Sequence, residues 1–339
     1  MTDPTVPVPA RHRLVVVTGS GRSGTSSVAG TLKRLGVHIP QPEVEADERN
    51  PLGYYEPQWV AQFHKAFLNA VPVRTIDARP DAGEIAMAAV TPEIESELRA
   101  WLGEELARHE PGTPIAVKET RAYWVFPLWL RIAAELDADV SSLTMLRHPA
   151  QVVRSRDTAY LTESSESFRR RRETTNVAAW VNSIFATERA TRERPRAFVP
   201  YVDLVGDWRS AITRACDQLD LATGDLTAPH PVDEFVTTSL NRSSPDWDGL
   251  VVSDALVDLA ERTWATAQRL VTAPHDAQAI ADLDRLHEEY VAMYESASAI
   301  ALDATAAQVA SLRKRLAAKS RRIDKLRAEL ETLRAGAAR

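Results

Sequence analysis

The run Arg13-Leu-Val-Val-Val-Thr-Gly-Ser-Gly-Arg-Ser-Gly-Thr-Ser26 is the most informative part of this 339-residue sequence. Its first half is a short, β-branched apolar run, which predicts a strand buried in a parallel sheet. A glycine-rich turn follows, and residues 23–35 then place Val28, Leu32 and Leu35 on one side of a predicted helix. A strand, a glycine-rich loop and a helix in this order are typical of a mononucleotide-binding α/β fold.

Strands and helices alternate through the rest of the first 200 residues. The predicted strands are 114–117, 140–146 and 196–201, and the predicted helices are 58–68, 92–109, 126–136, one that begins at Pro149, and 167–193. Such alternation predicts an α/β domain built on a parallel sheet with helices on both faces.

The C-terminal segment has a different pattern. From Leu302 to Leu333, apolar side chains recur on alternating steps of three and four residues, with Thr305 and Lys319 filling the gaps. This heptad pattern predicts a coiled-coil helix, and the alternative is one amphipathic helix packed on its own domain. A parallel homodimer would bring Arg322 and Arg327 together. An antiparallel dimer, a partner helix and an anionic surface therefore all stay open.

These patterns divide the chain into three parts. We expect a disordered N-terminus over residues 1–12, the α/β domain over 13–272 and a long helical tail over 273–339. The net charge is -6 overall, but residues 311–339 carry +7 and the first 310 residues carry -13. An acidic body argues against nucleic-acid binding.

The sequence also predicts a cytoplasmic protein. Residues 1–13 contain no apolar region of the kind found in secretory signals. No stretch approaches the roughly 20 apolar residues that span a bilayer. The single cysteine, Cys216, fits a reducing compartment and is interpreted as a core residue.

The glycine-rich loop has the composition of an anion site. Glycines let the backbone turn its N–H groups inward, and the start of the next helix adds partial positive charge. Three hydroxyl groups and one arginine add further donors; the complete set is Gly21, Arg22, Ser23, Gly24, Thr25 and Ser26. The alternative is a turn that only caps its helix.

The position of the cation distinguishes this loop from a Walker A loop. In a Walker A loop a lysine follows the second glycine and contacts the terminal phosphates of ATP. Here Thr25 occupies that place, and the cation lies upstream at Arg22. The pattern therefore argues against a kinase or an ATPase.

A second anion site is predicted at the end of the strand 140–146. Arg147 follows this strand directly, and Ser155 lies eight residues later, in the helix that comes next. Ligands of open α/β sheets bind at the carboxyl ends of strands, where both side chains would face one crevice. Two such sites suit a nucleotide phosphorylated at both its 3′ and 5′ positions. A surface arginine paired with a carboxylate is the alternative for Arg147.

Together these motifs resemble those of the sulfotransferases that use 3′-phosphoadenosine-5′-phosphosulfate (PAPS). Arg22-Ser-Gly-Thr25 resembles the family's 5′-phosphosulfate loop, with Gly21 in place of the usual proline, and Arg147 with Ser155 resembles its 3′-phosphate pair. Further similar segments are Asn50-Pro-Leu-Gly-Tyr-Tyr-Glu56, Lys118-Glu-Thr-Arg121 and Pro200-Tyr-Val-Asp-Leu-Val205. The match covers about residues 13–270.

The resemblance implies a P-loop NTPase-like sulfotransferase fold and sulfuryl transfer from PAPS to a hydroxyl or amine of a small-molecule or carbohydrate acceptor. Arg22 and Lys118 would neutralise the leaving group, and no metal is required. The family's C-terminal R-K-G signature is absent, and Arg242, in Ser239-Leu-Asn-Arg242, is the nearest substitute for contacting the 3′-phosphate.

The acceptor must also lose a proton, so a base is needed. Steroid and phenol members of the family place a histidine two residues after the lysine, where this chain has Thr120. By resemblance to the tyrosylprotein branch, the base is expected to be Glu56. Glu43, Glu45 and Glu48 stay open as alternatives, as does a capping role for Glu56 beside Pro57. The eight histidines, His64 and His148 among them, are expected to be solvated or structural.

Two other functions are compatible with parts of the pattern. A P-loop kinase of a small metabolite would bind ATP with Mg²⁺. A non-catalytic scaffold would keep a degenerate nucleotide site and act through its coiled coil. No cluster with metal-ligand spacing is evident along the chain.

Overall fold

The computed structural model describes residues 11–48, 50–160, 165–241 and 243–337. Residues 1–10, most of the predicted disordered N-terminus, lie outside the described residues. The chain forms two compact units, one that ends at Tyr290 and one that begins at Val291.

A four-stranded parallel sheet forms the centre of the first unit, as predicted. Its strands are β1 (His12–Thr18), β2 (Pro114–Lys118), β3 (Ala138–Leu146) and β4 (Arg196–Pro200), in the spatial order β2-β1-β3-β4. Val17 lies opposite Lys118 of β2 on one side and Leu143 of β3 on the other. The interior of β1 is almost inaccessible to solvent on both faces, as its continuous apolar sequence predicts.

This strand order creates a crevice beside β1. The chain leaves β1 towards β2 on one side and later continues to β3 on the other side. The connections that follow β1 and β3 therefore diverge at the carboxyl edge of the sheet, which is where ligands of open α/β sheets bind.

Helices cover both faces of the sheet. The helices of the first unit are α1 (Thr25–Arg34), α2 (Gln58–Ala70), α3 (Ala82–Ala88), α4 (Pro92–Ala107), α5 (Phe126–Glu135), α6 (Pro149–Tyr160), α7 (Glu166–Thr191), α8 (Tyr201–Gly206), α9 (Trp208–Gln218), α10 (Val232–Phe235), α11 (Asp254–Thr272) and the start of α12 (Ala277–Ile300). Val15 and Val17 join one apolar cluster, whereas Leu14 and Val16 join the other. The alternation follows from the two-residue period of a strand.

The second unit consists of the end of α12 and the helix α13 (Leu302–Ala337). This long helix agrees with the predicted helical tail. Its apolar stripe is solvent-exposed, with 60% of Leu312 and 66% of Leu316 accessible. Within the described ranges of the chain, no helix combines the length and the apolar character needed to cross a membrane.

Candidate functional site

The loop between β1 and α1 approaches its neighbours too closely for side chains at two positions. A Cβ atom on Gly19, whose φ is +136°, would lie 2.7 Å from the backbone oxygen of Met145. Gly24, with φ of +93°, caps α1, and a Cβ atom there would lie 2.2 Å from Cδ2 of Tyr201. Arg22 also has a positive φ, +76°. The loop is therefore held in a tight conformation that glycine permits at little cost.

One hydroxyl group of this loop is buried without a hydrogen-bond partner within the residues that the structure describes. Ser23 is fully buried, and its Oγ has no hydrogen-bond partner among the described residues. Thr25, the first residue of α1, is also buried. Ser26 Oγ accepts a hydrogen bond of 3.2 Å from the side-chain amide of Asn50, so the segment 50–56 closes against the loop. A buried hydroxyl without a partner is costly, and a bound anion would satisfy Ser23.

The two predicted anion sites are joined by hydrogen bonds. Arg22 Nε donates to Ser155 Oγ on α6 at 3.1 Å. Arg147 donates from its guanidinium to the backbone oxygen of Arg22 at 3.0 Å. Arg22, Arg147 and Ser155 therefore form one cluster, called the arginine cluster below, at the carboxyl ends of β1 and β3.

Arg147 is a buried cation. Only 7% of the residue is exposed, and its guanidinium lies 4.4 Å from the centre of the Tyr201 ring. Burial lowers the pKa of Arg147 below its usual value; Tyr201 opposes this effect and the charge of Arg22 adds to it. Within the described ranges no carboxylate pairs with this guanidinium, and its Nε has no hydrogen-bond partner. Its charge is therefore available to an anion, unlike that of a surface arginine in an ion pair.

Lys118 and Glu56 form a pair on the other side of β1. Lys118 ends β2 with its side chain 3% exposed, and its Nζ lies 2.5 Å from Oε1 of Glu56. Glu56 precedes α2 by two residues, and its backbone oxygen accepts a hydrogen bond from Val44 at 2.8 Å. Because Lys118 lies opposite Val17, this pair is at the same edge of the sheet as the arginine cluster.

The other candidate carboxylates have different surroundings. Glu43 contacts Lys33 of α1 and the side-chain amide of Gln41. Glu45 and Glu48 are exposed. Of the four predicted candidates, Glu56 is the one that forms an ion pair with Lys118.

Glu119, the residue after Lys118, lies in a buried network of hydrogen bonds. Glu119 accepts hydrogen bonds from His64 Nδ1 and, at 2.9 Å, from Arg121 Nε. Trp129 donates its indole N–H to Nε2 of His64 at 3.1 Å, so the imidazole proton lies on Nδ1 and faces Glu119. Burial opposes ionisation of Glu119, but His64 and Arg121 outweigh it and lower the pKa of the carboxyl group. His64 thus has a structural role.

The comparison with protein families agrees with these motifs. A family model described as "Sulfotransferase family" matches residues 15–225. This match spans more than half of the chain and contains the loop, Glu56, Lys118 and the arginine cluster. The chain belongs to the sulfotransferase family.

Three solved structures are similar to this sulfotransferase at low sequence identity. The sulfotransferase domain from the Synechococcus PCC 7002 olefin synthase is 17% identical, with a TM-score of 0.40 over 86% of this chain and 98% of that one. The sulfotransferase domain from the curacin biosynthetic pathway is 15% identical, with a TM-score of 0.35 over 83% and 97%. The sulfotransferase from Alicyclobacillus acidocaldarius is 15% identical, with a TM-score of 0.39 over 84% and 97%. No curated protein sequence gives a significant match.

Sequence reasoning missed a third arginine beside the loop of this sulfotransferase. The guanidinium of Arg156 would lie 3.6 Å from a Cβ atom on Gly21, and its Nε donates to Asn176 on α7 at 3.3 Å. Its position next to Ser155 on α6 was a possible signal. Consecutive helical residues point about 100° apart, however, so spacing alone did not show that both face the loop.

The segment 238–241 covers the arginine cluster from another side. Arg147 donates to Asn241 Oδ1 at 3.4 Å, and Tyr201 donates to the backbone oxygen of Leu240 at 3.0 Å. Asn241 is therefore a contact that the sequence did not single out. Arg242, the predicted substitute for a 3′-phosphate ligand, lies outside the described residues.

Proposed function

We propose that this sulfotransferase transfers a sulfuryl group from PAPS to a hydroxyl or amine of a small-molecule or carbohydrate acceptor by in-line displacement. The observation that supports this function best is the arginine cluster. Its two cations and one hydroxyl group meet at the carboxyl ends of β1 and β3, beside a tight glycine loop. Such a cluster suits a donor that carries anionic groups at both ends of its ribose.

The unsatisfied groups of the site match the donor's charges. Arg147 Nε and Ser23 Oγ are buried donors without partners in the described part of the chain. In the proposed complex, Arg147 and Ser155 bind the 3′-phosphate, and Arg22 with the loop residues Gly21 to Ser26 binds the 5′-phosphosulfate. Each ligand oxygen would then replace hydration with a charge-assisted hydrogen bond.

The proposed reaction is one in-line step. The acceptor oxygen or nitrogen forms a bond to sulfur while the bond between sulfur and the bridging phosphate oxygen breaks. The electron pair of that bond stays on the 5′-phosphate of the leaving adenosine 3′,5′-bisphosphate, and the acceptor proton passes to a base. The protein contributes positioning and charge stabilisation, as in phosphoryl transfer.

Lys118 and Glu56 have the two complementary roles in this proposal. The ammonium group of Lys118 neutralises the charge that develops on the bridging oxygen, together with Arg22. The carboxylate of Glu56 accepts the proton of the acceptor. Their 2.5 Å contact supports the assignment because it puts the leaving-group cation and the base at the same point of the crevice.

Nucleotide binding tests the proposed function directly. Isothermal titration calorimetry of the full chain with adenosine 3′,5′-bisphosphate, in buffer containing EDTA, should show binding that does not need Mg²⁺. ATP with Mg²⁺ should bind more weakly; the opposite order would favour a kinase. With binding established, radiolabelled PAPS and a panel of hydroxyl and amine acceptors identify the acceptor class. An absence of binding at millimolar nucleotide would refute the proposal.

We also propose that α13 forms a coiled coil with a second helix. The support is the exposure of its heptad positions, which include Leu312, Leu316, Ile323 and Leu326. An isolated helix with such a stripe gains stability by burying it against another helix.

A further inference from the structure

Three potential metal ligands meet at the amino-terminal edge of the sheet. They are His38, which follows α1, Glu105 in the last turn of α4, and His109 just beyond that helix. One ligand atom from each residue lies within 4.8 Å of the others. Spacing along the sequence conceals this cluster because His38 is distant in the chain from the other two residues.

The backbone holds these ligands from two independent elements. His38 extends the sheet beside β2: its N–H donates to Pro114 at 3.2 Å, and its carbonyl accepts from Ala116 at 2.7 Å. Glu105 and His109 are four residues apart at the end of α4, a spacing that brings side chains to one helix face. The cluster thus joins the sheet edge to the end of α4.

The chemistry of the cluster is that of a transition-metal site. The rings of His38 and His109 have centres 4.1 Å apart, and Glu105 is only 3% exposed. A buried carboxylate beside two imidazole rings offers oxygen and nitrogen ligands at one point.

We propose that His38, Glu105 and His109 bind a divalent transition-metal ion, with Zn²⁺ as the best match, and that water completes its coordination. Two imidazoles and one carboxylate are a ligand set that suits Zn²⁺. Tetrahedral ligands of Zn²⁺ lie roughly 3.3 Å apart, so the three side chains close around the ion by small rotations.

This metal has a stabilising role that is separate from sulfuryl transfer. The cluster lies at the start of β2, beside Pro114, whereas Lys118 ends the same strand at the catalytic edge. Metal bound to the native state raises stability because the unfolded chain does not assemble the ligands.

Arg108 would compete with the metal ion for the carboxylate of Glu105. It forms an ion pair with Glu105 and a second one of 3.6 Å with Glu104. Its positive charge opposes the approach of a cation to the Glu105 carboxylate. Removing the charge of Arg108 should therefore increase the affinity for the metal ion. If the three residues bind no metal, the same change would only remove the ion pair with Glu105.

Zinc titration of the full, untagged chain after removal of metals with EDTA tests the proposal. We expect one Zn²⁺ per chain in calorimetry, with an increase in Tm. His38→Ala and His109→Ala should each weaken binding by about 100-fold or more, because one of three protein ligands is lost. His275→Ala, at an exposed histidine elsewhere, should bind as the wild type does.

Two further measurements separate a lost ligand from a damaged fold. Arg108→Met should bind Zn²⁺ several-fold more tightly than the wild type, while His109→Ala should still bind adenosine 3′,5′-bisphosphate normally if that nucleotide binds the wild type. The proposal is overturned if the wild-type chain binds no Zn²⁺ at about 100 µM free Zn²⁺, a concentration well above the dissociation constants of zinc sites in proteins. It is equally overturned if the His38 and His109 variants bind Zn²⁺ as the wild type does.

Discussion

The guanidinium of Arg147 donates a hydrogen bond of 3.0 Å to the backbone oxygen of Arg22. The cation after β3 therefore supports the backbone of the loop after β1, at a residue with a positive φ. A ligand that binds either group alters the surroundings of the other. If the proposed nucleotide binds here, this contact links its binding to the conformation of the loop.

Replacing Arg147 tests this link. Arg147→Lys keeps the charge but loses the planar contact with Tyr201 and the hydrogen bond to Arg22. We expect the affinity for adenosine 3′,5′-bisphosphate to fall by about 10- to 100-fold, since hydrogen bonds to charged groups contribute about 1.5–3 kcal/mol. Calorimetry measures the loss. Arg170→Ala, at an exposed arginine paired with Glu166, is the control that should retain wild-type affinity.

Glu56 and Glu43 can be distinguished as bases by matched variants. Glu56→Gln should lower kcat by about 100-fold or more and remove the acidic limb of the pH–rate profile, because amides do not accept the proton. Glu43→Gln should leave both unchanged, since Glu43 contacts Lys33 and Gln41 instead. Steady-state kinetics across pH gives the answer. Retention of the acidic limb in the Glu56 variant would exclude it as the base.

Alanine substitutions at Gly24 and Gly36 distinguish the stability cost of backbone strain from that of steric overlap. Both have a φ of about +90°, but a Cβ atom on Gly36 meets nothing within 4 Å, whereas one on Gly24 would overlap Tyr201. Gly36→Ala should reduce the free energy of unfolding by about 1–2 kcal/mol, the cost of the left-handed conformation. Gly24→Ala should cost more and should also abolish nucleotide binding. Urea unfolding measures both; equal costs would contradict the close approach of Tyr201 to Gly24.

Because the pKa of Glu119 is lowered, we expect the free energy of unfolding to depend on pH. Its folded-state pKa is lowered from the usual 4.5, so its stabilising effect is complete above that pH and is lost as the pH falls through the lowered value. Glu119→Gln should reduce the free energy of unfolding by about 3 kcal/mol near neutral pH, because it breaks a buried pair. The difference from the wild type should shrink as the pH falls below 4.5 and through the lowered pKa of Glu119. A constant difference would mean that the carboxylate charge is not involved.

The control for this experiment is an exposed carboxylate. Glu166→Gln removes a surface pair with Arg170 and should change stability by less than about 0.5 kcal/mol at any pH. Urea denaturation over the same pH series applies to both variants.

From the exposed apolar stripe of α13 we expect the protein to self-associate. Light scattering after size-exclusion chromatography should show an oligomer for the full chain and a smaller species when residues 301–339 are removed. Leu312→Asp should also dissociate the oligomer, because it puts a charge into the apolar stripe. Lys314→Asp changes a position outside that stripe and should not. A full chain that is already monomeric would refute self-association and direct the search to a different partner helix.

Local patterns predicted most of the elements within the first 200 residues, but not the helices α8 to α11 that follow. Pro92 and the cap at Thr91, whose side chain accepts from the Ile94 N–H, mark the start of α4 at the predicted residue. The strand, loop and helix at residues 12–34 also agree with the sequence analysis. The short helix α3, by contrast, escaped prediction because two turns contain too few residues to establish a helical period.

The sequence by itself thus determined the parallel α/β architecture, the glycine loop and the motifs of the sulfotransferase family, because these depend on short-range patterns of residue type. Only the tertiary structure decided which carboxylate meets Lys118, how Arg147 supports Arg22 and which histidines gather around Glu105. These pairs come from distant parts of the chain. Their contacts depend on strand order and on the packing of helices over both faces of the sheet, which no local pattern specifies.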